Sequence, residues 1–288
     1  MRIPESELII NADGSAFHLH IKPAQLADKV ILVGDPGRVA AFAPLMDEIE
    51  SESASREFVS LTGLYHGTRF TVLSTGIGTD NIDIVMTELD ALANVDFATR
   101  EVRPQHRTLD ILRIGTCGAI QPDVPLGSFI FSDISIGCDG LLNWYVDRDS
   151  IALLDFEEAF KKHVHWDRHL PDPYFVRASE KLIRLFDDCV HGMTISAPGF
   201  YGPQGRVVRQ GLAMPAMLED FESFSFGGYR ITNFEMEGSA LAGMAAKLGH
   251  NAGTICAAIA HRYHKDANTN YQSRIQELIR LALDRLSA

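Results

Sequence analysis

Five short apolar runs, at residues 30–33, 70–73, 109–114, 129–131 and 254–259, limit the folds open to this chain more than any other feature of it. They are rich in Val, Ile, Leu and Phe, and several are continuous where a strand with one wet face would alternate. A strand that is apolar on both faces has to be covered on both, as in a largely parallel sheet held between helices. Helical patterns fall between and after the runs, at 38–45, 81–93, 179–186, 237–248 and 273–286. The last of these puts Ile275, Leu278, Ile279, Ala282 and Leu286 on one face. This alternation reads as one mixed α/β domain spanning residues 1–288. Residues 138–174 mix aromatic, charged and Pro residues without a period and read as an insertion or long loop, too apolar to be disordered.

A formal net charge of −12 argues against nucleic acid or an acidic membrane as a partner, because both need a basic surface. It also means that an anionic substrate must be gripped by a local arginine cluster working against the overall field. No stretch approaches the roughly 18 apolar residues of a membrane span, and the N-terminal residues lack the basic start and apolar core of a secretory signal. Cys117, Cys138, Cys189 and Cys256 are scattered, with no C-x-x-C, so neither a disulfide framework nor a zinc site is expected, and a reducing cytoplasm is. His163, His165 and His169 lie close in sequence, but no carboxylate or Cys completes a ligand set at familiar spacing. They read as loop residues.

The chemistry-bearing segments sit where strands end. Residues 30–39 close a strand with Gly34-Asp35-Pro36-Gly37-Arg38. Glycine lets backbone N–H groups approach an anion, a following helix start favours negative charge, and Arg38 adds a forked donor. A plain β-to-α turn with a surface arginine would look the same. Arg113 interrupts an apolar strand that Gly115-Thr116-Cys117-Gly118 closes. A buried guanidinium must face an anion or form an ion pair with a nearby Asp or Glu. Gly76-Ile77-Gly78 resembles part of a dinucleotide fingerprint, but Asn81 stands in the third glycine position, and a tight strand-to-helix turn explains it equally well. Glu235, Met236 and Glu237 open a helical pattern. Acidic residues there are favoured by the helix dipole, which suits a capping role for Glu235, whereas Glu237 could accept hydrogen bonds from sugar hydroxyls over Met236. Gln204 and Arg206 on a Gly/Pro-rich loop, with Arg262 after the last apolar strand, offer the donors and acceptor that a ring with alternating C=O and N–H groups needs. They could equally be solvated loop residues.

In this order the segments resemble the nucleoside phosphorylase family. The matches are the Gly34-Asp35-Pro36-x-Arg38 turn, Ser55-Arg56-Glu57-Phe58, Arg113-Ile114-Gly115-Thr116-x-Gly118, Phe200-Tyr201-x-x-Gln204-x-Arg206 and Glu235-Met236-Glu237. The resemblance implies a three-layer α/β/α fold with a mixed, partly barrel-like central sheet. It implies reversible phosphorolysis of uridine, with deoxyuridine an open second substrate, to uracil and the sugar 1-phosphate; another nucleoside (thymidine or a purine), hydrolysis by water, and nucleoside binding without catalysis on the same fold stay open as alternatives. Gly34, Arg38, Arg113 and Thr116 would hold phosphate, with Arg56 reaching in from a neighbouring subunit. Met236 and Glu237 would hold the ribose, with His18 of the neighbour near its 5′-hydroxyl. Phe200, Gln204 and Arg206 would line and read the base, supported by Arg262, and Gln204, Arg206 and Arg262 would carry the catalytic stabilisation of the departing base. No organic cofactor is implied, only inorganic phosphate as co-substrate; Glu57 could hold a monovalent cation such as K+. A homo-oligomer with shared sites is implied, either a dimer or a hexamer built as a trimer of dimers. Purine-specific members carry a Ser-Asp pair after the last core strand; here that place reads Ala260-His261-Arg262, which favours a pyrimidine. The turn at residues 75–81, Cys117 and His261 depart from the family's usual residues.

Overall fold

The computed structural model describes residues 2–288. Its strands are β1 (Lys29–Val33), β2 (Glu48–Ser55), β3 (Phe58–Tyr65), β4 (Thr68–Ser74), β5 (Val95–Asp96), β6 (Glu101–Val102), β7 (Asp110–Ala119), β8 (Phe129–Gly137), β9 (Tyr174–Arg177), β10 (Val190–Ser196), β11 (Ser225–Phe226), β12 (Tyr229–Glu235), β13 (Asn251–His261) and β14 (Asp266–Ala267). Its helices are α1 (Pro36–Val39), α2 (Thr79–Asn94), α3 (Leu154–His163), α4 (Glu180–Leu185), α5 (Met217–Ser223), α6 (Gly238–Leu248) and α7 (Gln272–Ser287). The five apolar runs fall in strands β1, β4, β7, β8 and β13, with Leu109 just before the start of β7.

β1 shows why its run is continuous. Val30 and Leu32 face a core shared with α2 and α6, while Ile31 and Val33 face a second core shared with α7, and all four are fully buried. Sheet and helices thus form three layers, each strand residue going to one helical side or the other. The sheet is more mixed than the largely parallel expectation. β4, β1, β7 and β13 run parallel to one another in that order, while β2, β3 and β4 form an antiparallel meander. β12 pairs with β10 and, antiparallel, with β7, so that β12, β10, β8, β13 and β7 close into a five-stranded barrel. The closure removes two sheet edges and brings the ends of β7 and β12 together.

Two expectations need correction. Of the two readings of residues 138–174, insertion or long loop, the long loop is not what the structure contains. These residues contain two short 3-10 turns and α3, and they end on β9, which pairs with β8. Phe156, Phe160 and Val164 from this segment are buried with Phe221, Phe224 and Phe234 in a third core. Mixed composition masked a three-turn helix whose apolar face is only a few residues wide. The helix expected at 38–45 shrinks to the single turn of α1 and a 3-10 turn at Ala43–Leu45, because Pro44 cannot continue an α-helical ladder. No helix among the described residues is long and apolar enough to cross a membrane.

Candidate active site

The C-terminal ends of β1, β4 and β7 open on one side of the sheet, together with the end of β12, around a cavity of about 660 Å³. In open parallel sheets this is where ligands bind. Its lining includes Gly34, Arg38, Arg113, Thr116, Phe200, Gln204, Arg206, Met236 and Glu237, together with Glu57. A depression of about 810 Å³ on the α2 side, lined by Leu92, Arg103 and His106, is larger but contains none of the expected site residues.

Arg113 lies in the middle of β7, fully buried, and takes the ion-pair alternative that the sequence left open. Its NH2 donates to Glu237, and NH1 stands 3.3 Å from Glu235 Oε2. Among the described residues its Nε is buried with no hydrogen-bond partner. A β-carbon at Gly115 would meet Arg113 NH1 at 2.5 Å, which explains the glycine: only a bare backbone leaves room for the guanidinium. Burial works against the charge of Arg113, but Glu237 and Glu235 more than offset it and hold its pKa above the usual arginine value.

The Glu235-Met236-Glu237 triplet divides its work. Glu235 Oε2 accepts the backbone N–H groups of Glu237 and Gly238, both at 2.8 Å, so the capping reading of Glu235 is what the structure contains. Glu237 accepts the Gly78 N–H at 2.8 Å on Oε1 and Arg113 on Oε2. That contact gives the 75–81 turn its purpose. Gly78 has a φ of 104°, open only to glycine, and the conformation delivers its N–H to Glu237 rather than to a dinucleotide. Burial pushes the Glu237 carboxyl above its ordinary pKa, Arg113 pulls it down and Glu235 pushes it up.

A second cluster meets the same cavity. Arg206 NH1 donates to the Phe200 carbonyl and to Gln204 Oε1, both at 2.6 Å, and its guanidinium carbon lies 3.8 Å from the Phe200 ring centre. Arg262 NH2 donates to the Gln204 carbonyl at 3.0 Å from behind the lining. Among the described residues Arg38, Arg206 and Arg262 make no ion pair. Burial and the facing Arg113 lower the pKa of Arg38, burial and Arg262 bring Arg206 down to about 10, and burial lowers Arg262. In a chain of net charge −12, these are uncompensated cations gathered at one cleft, the arrangement expected of an anion site.

Besides Arg262, two more expected residues do not line this cavity in their own chain. Arg56 is exposed on the β2–β3 turn at a φ of 55°, next to the cavity-lining Glu57. His18 bonds Glu88 Oε1 through Nδ1 at 2.6 Å, and Glu88 also accepts the backbone N–H groups of His18 and Leu19. His163 bonds Asp220 and Ser223, and it does not come together with His165 and His169 as a metal cluster. Asn81, Phe234 and Ile259 also line the cavity and were not anticipated as site residues. Phe234 belongs to β12, where the adjacent polar residues Thr232 and Asn233 break both the alternating and the continuous apolar pattern and hid the strand.

A family model described as the phosphorylase superfamily matches residues 28–288. The chain is 30% identical over 256 residues to a uridine phosphorylase of Thermococcus kodakarensis, covering 87% of this chain and 79% of that relative. A uridine phosphorylase of Haemophilus influenzae is 29% identical over 87% of this chain and 88% of its own length. In structure the chain is similar to a Trypanosoma brucei nucleoside phosphorylase said to show uridine phosphorylase activity. The TM-score is 0.88 at 29% identity, over 98% of this chain and all of that one.

Proposed function

This chain belongs to the phosphorylase superfamily, and on that footing we propose that it catalyses the reversible phosphorolysis of uridine to uracil and ribose 1-phosphate. One observation carries the reading: a single cavity joins the Arg38–Arg113–Glu237 cluster to the Phe200–Gln204–Arg206 cluster. Gly34, Arg38, Arg113 and Thr116 hold phosphate below the sugar. Glu237 accepts hydrogen bonds from the ribose hydroxyls, with Met236 under the ring. Gln204 and Arg206 face the two carbonyl oxygens of uracil while Phe200 covers its plane.

As the C1′–N1 bond lengthens, its electron pair moves onto the base and positive charge grows on the sugar. A phosphate oxygen forms the new bond to C1′, and uracil leaves as an anion that later takes a proton from solvent. Donors fixed where that negative charge appears lower the barrier, each by roughly 3 kcal/mol in comparable sites. Arg206 is prepared for this, since it is partly desolvated, has no carboxylate partner and is stacked in place.

The same reading assigns His18 and Arg56 to a neighbouring subunit's cavity in a homo-oligomer. It needs inorganic phosphate and no organic cofactor, allows K+ at Glu57, and sets the reaction in cytoplasmic pyrimidine salvage, with deoxyuridine as a second substrate. The test is release of free base from uridine, thymidine and inosine, each with and without phosphate. Uridine with phosphate is expected to be turned over fastest. Cleavage without phosphate would mean a hydrolase, and turnover of inosine alone would overturn the pyrimidine assignment.

A further inference from the structure

Glu235 lines the cavity, yet every contact described above gives it a structural role. Its Oε2 takes two backbone N–H groups of the α6 start and lies 3.3 Å from Arg113, while Oε1 accepts the Ser196 hydroxyl, whose oxygen in turn accepts the Ser239 N–H at 2.8 Å. A helix start is well capped by a neutral hydroxyl or amide oxygen, so capping alone does not call for a buried carboxylate. The charge is the unexplained part. Glu235 is 4% and Glu237 2% exposed, and the two share one guanidinium, 5% exposed. Around Arg113 two carboxylates oppose one guanidinium, with Arg38 the next cation, in a place shielded from water, where charge acts strongly.

We propose that Glu235 is a positioning residue that acts through its charge. It fixes Arg113 between two carboxylates and keeps the sugar side of the cavity negative, where the ribose becomes cationic as its bond to the base breaks. This rests on the phosphorolysis reading and deepens it. Arg38, free of an ion pair among the described residues, grips the phosphate beside Arg113, while the Glu235 and Glu237 carboxylates favour the cationic sugar over the neutral substrate. Such an interaction strengthens between ground state and transition state and therefore acts on kcat more than on KM.

The variant Glu235→Gln keeps shape and the oxygen facing α6 but removes the charge. It is expected to lower kcat for uridine by about 100-fold while KM for uridine changes by less than about threefold. The acid limb of the rate profile should also move to lower pH. The groups facing Glu237 are Arg113, Glu235 and the Gly78 N–H, with the Cys256 thiol beyond Arg113. Of these only Glu235 raises the Glu237 pKa by like charge, so its loss lets Glu237 stay ionised at lower pH.

Glu235→Asp keeps the charge while disturbing the cap, and Ser196→Ala removes one neutral contact; both should retain kcat within about fivefold of the parent. If Glu235→Asp or Ser196→Ala loses as much kcat as Glu235→Gln, packing of the α6 start is the cause and the proposal fails. It also fails if Glu235→Gln raises KM with kcat intact or leaves the acid limb in place. Should Glu235→Gln not fold, the Glu235→Asp result decides alone: retained kcat supports the charge role and lost kcat ends it. A parent protein that releases no uracil from uridine with phosphate would instead sink the underlying reading, a distinguishable result.

Discussion

The Arg206 guanidinium sits over the Phe200 ring and holds the Gln204 side-chain oxygen, so a two-residue spacing on a loop becomes one preorganised donor unit. Arg206→Ala removes the donor that meets the departing base but touches nothing at Arg38 or Arg113. Uridine kcat/KM is expected to fall about 100-fold, with KM for phosphate within about threefold of the parent, as steady-state kinetics with each substrate varied would establish. A variant with unchanged kcat/KM for uridine would remove Arg206 from base recognition. Residue types were readable at this scale and residue partners were not. Arg113 announced itself as a polar interruption of an apolar strand, and two outcomes were open, an anion or an ion pair. Only the closure of the barrel, which brings β12 against β7, showed that Glu235 and Glu237 take it.

Among the elements, α3 departs furthest from the sequence reading. Phe160 on its inner face is fully buried, with ring centres of Trp166, Phe175, Phe221 and Phe224 at 5.6, 5.4, 5.5 and 5.2 Å. This helix ties residues 138–174 to α5 and β9, so the segment is part of the core and not an appendage. Phe160→Ala should therefore cost about 3–5 kcal/mol, read as a lower urea midpoint at unchanged slope. A loss below about 1 kcal/mol would mean that the segment is peripheral after all. Periodicity failed here because only Phe156, Phe160 and their neighbours point inward, while Asp155, Glu158, Lys161 and Lys162 face the other way. By contrast α2, α6 and α7 bury long faces and were legible to within a residue or two.

For the molecule as a whole, the expected sharing of sites between subunits has a direct test. His18 and Arg56 do not line their own chain's cavity, which leaves them free to meet a neighbour's. Arg56→Ala and Arg206→Ala oligomers should each be nearly inactive toward uridine. Mixed by co-refolding as dimers at equal amounts, they should recover about a quarter of parental activity, because half the dimers then contain one intact site of two. No recovery in demonstrably mixed oligomers would place Arg56 outside the site.

The order of the layers followed from the amino-acid pattern, because runs apolar on both faces admit only strands covered on both sides. The candidate site residues were named there too, because a guanidinium inside an apolar strand and glycines where strands turn into helices call for a local reason. Which of them meet was a matter for the folded chain. The pairing of β12 with β7, the delivery of the Gly78 N–H to Glu237, and the sharing of Arg113 between two carboxylates all join residues far apart in the chain. Contacts of that kind follow from how a sheet closes, and no local pattern encodes them.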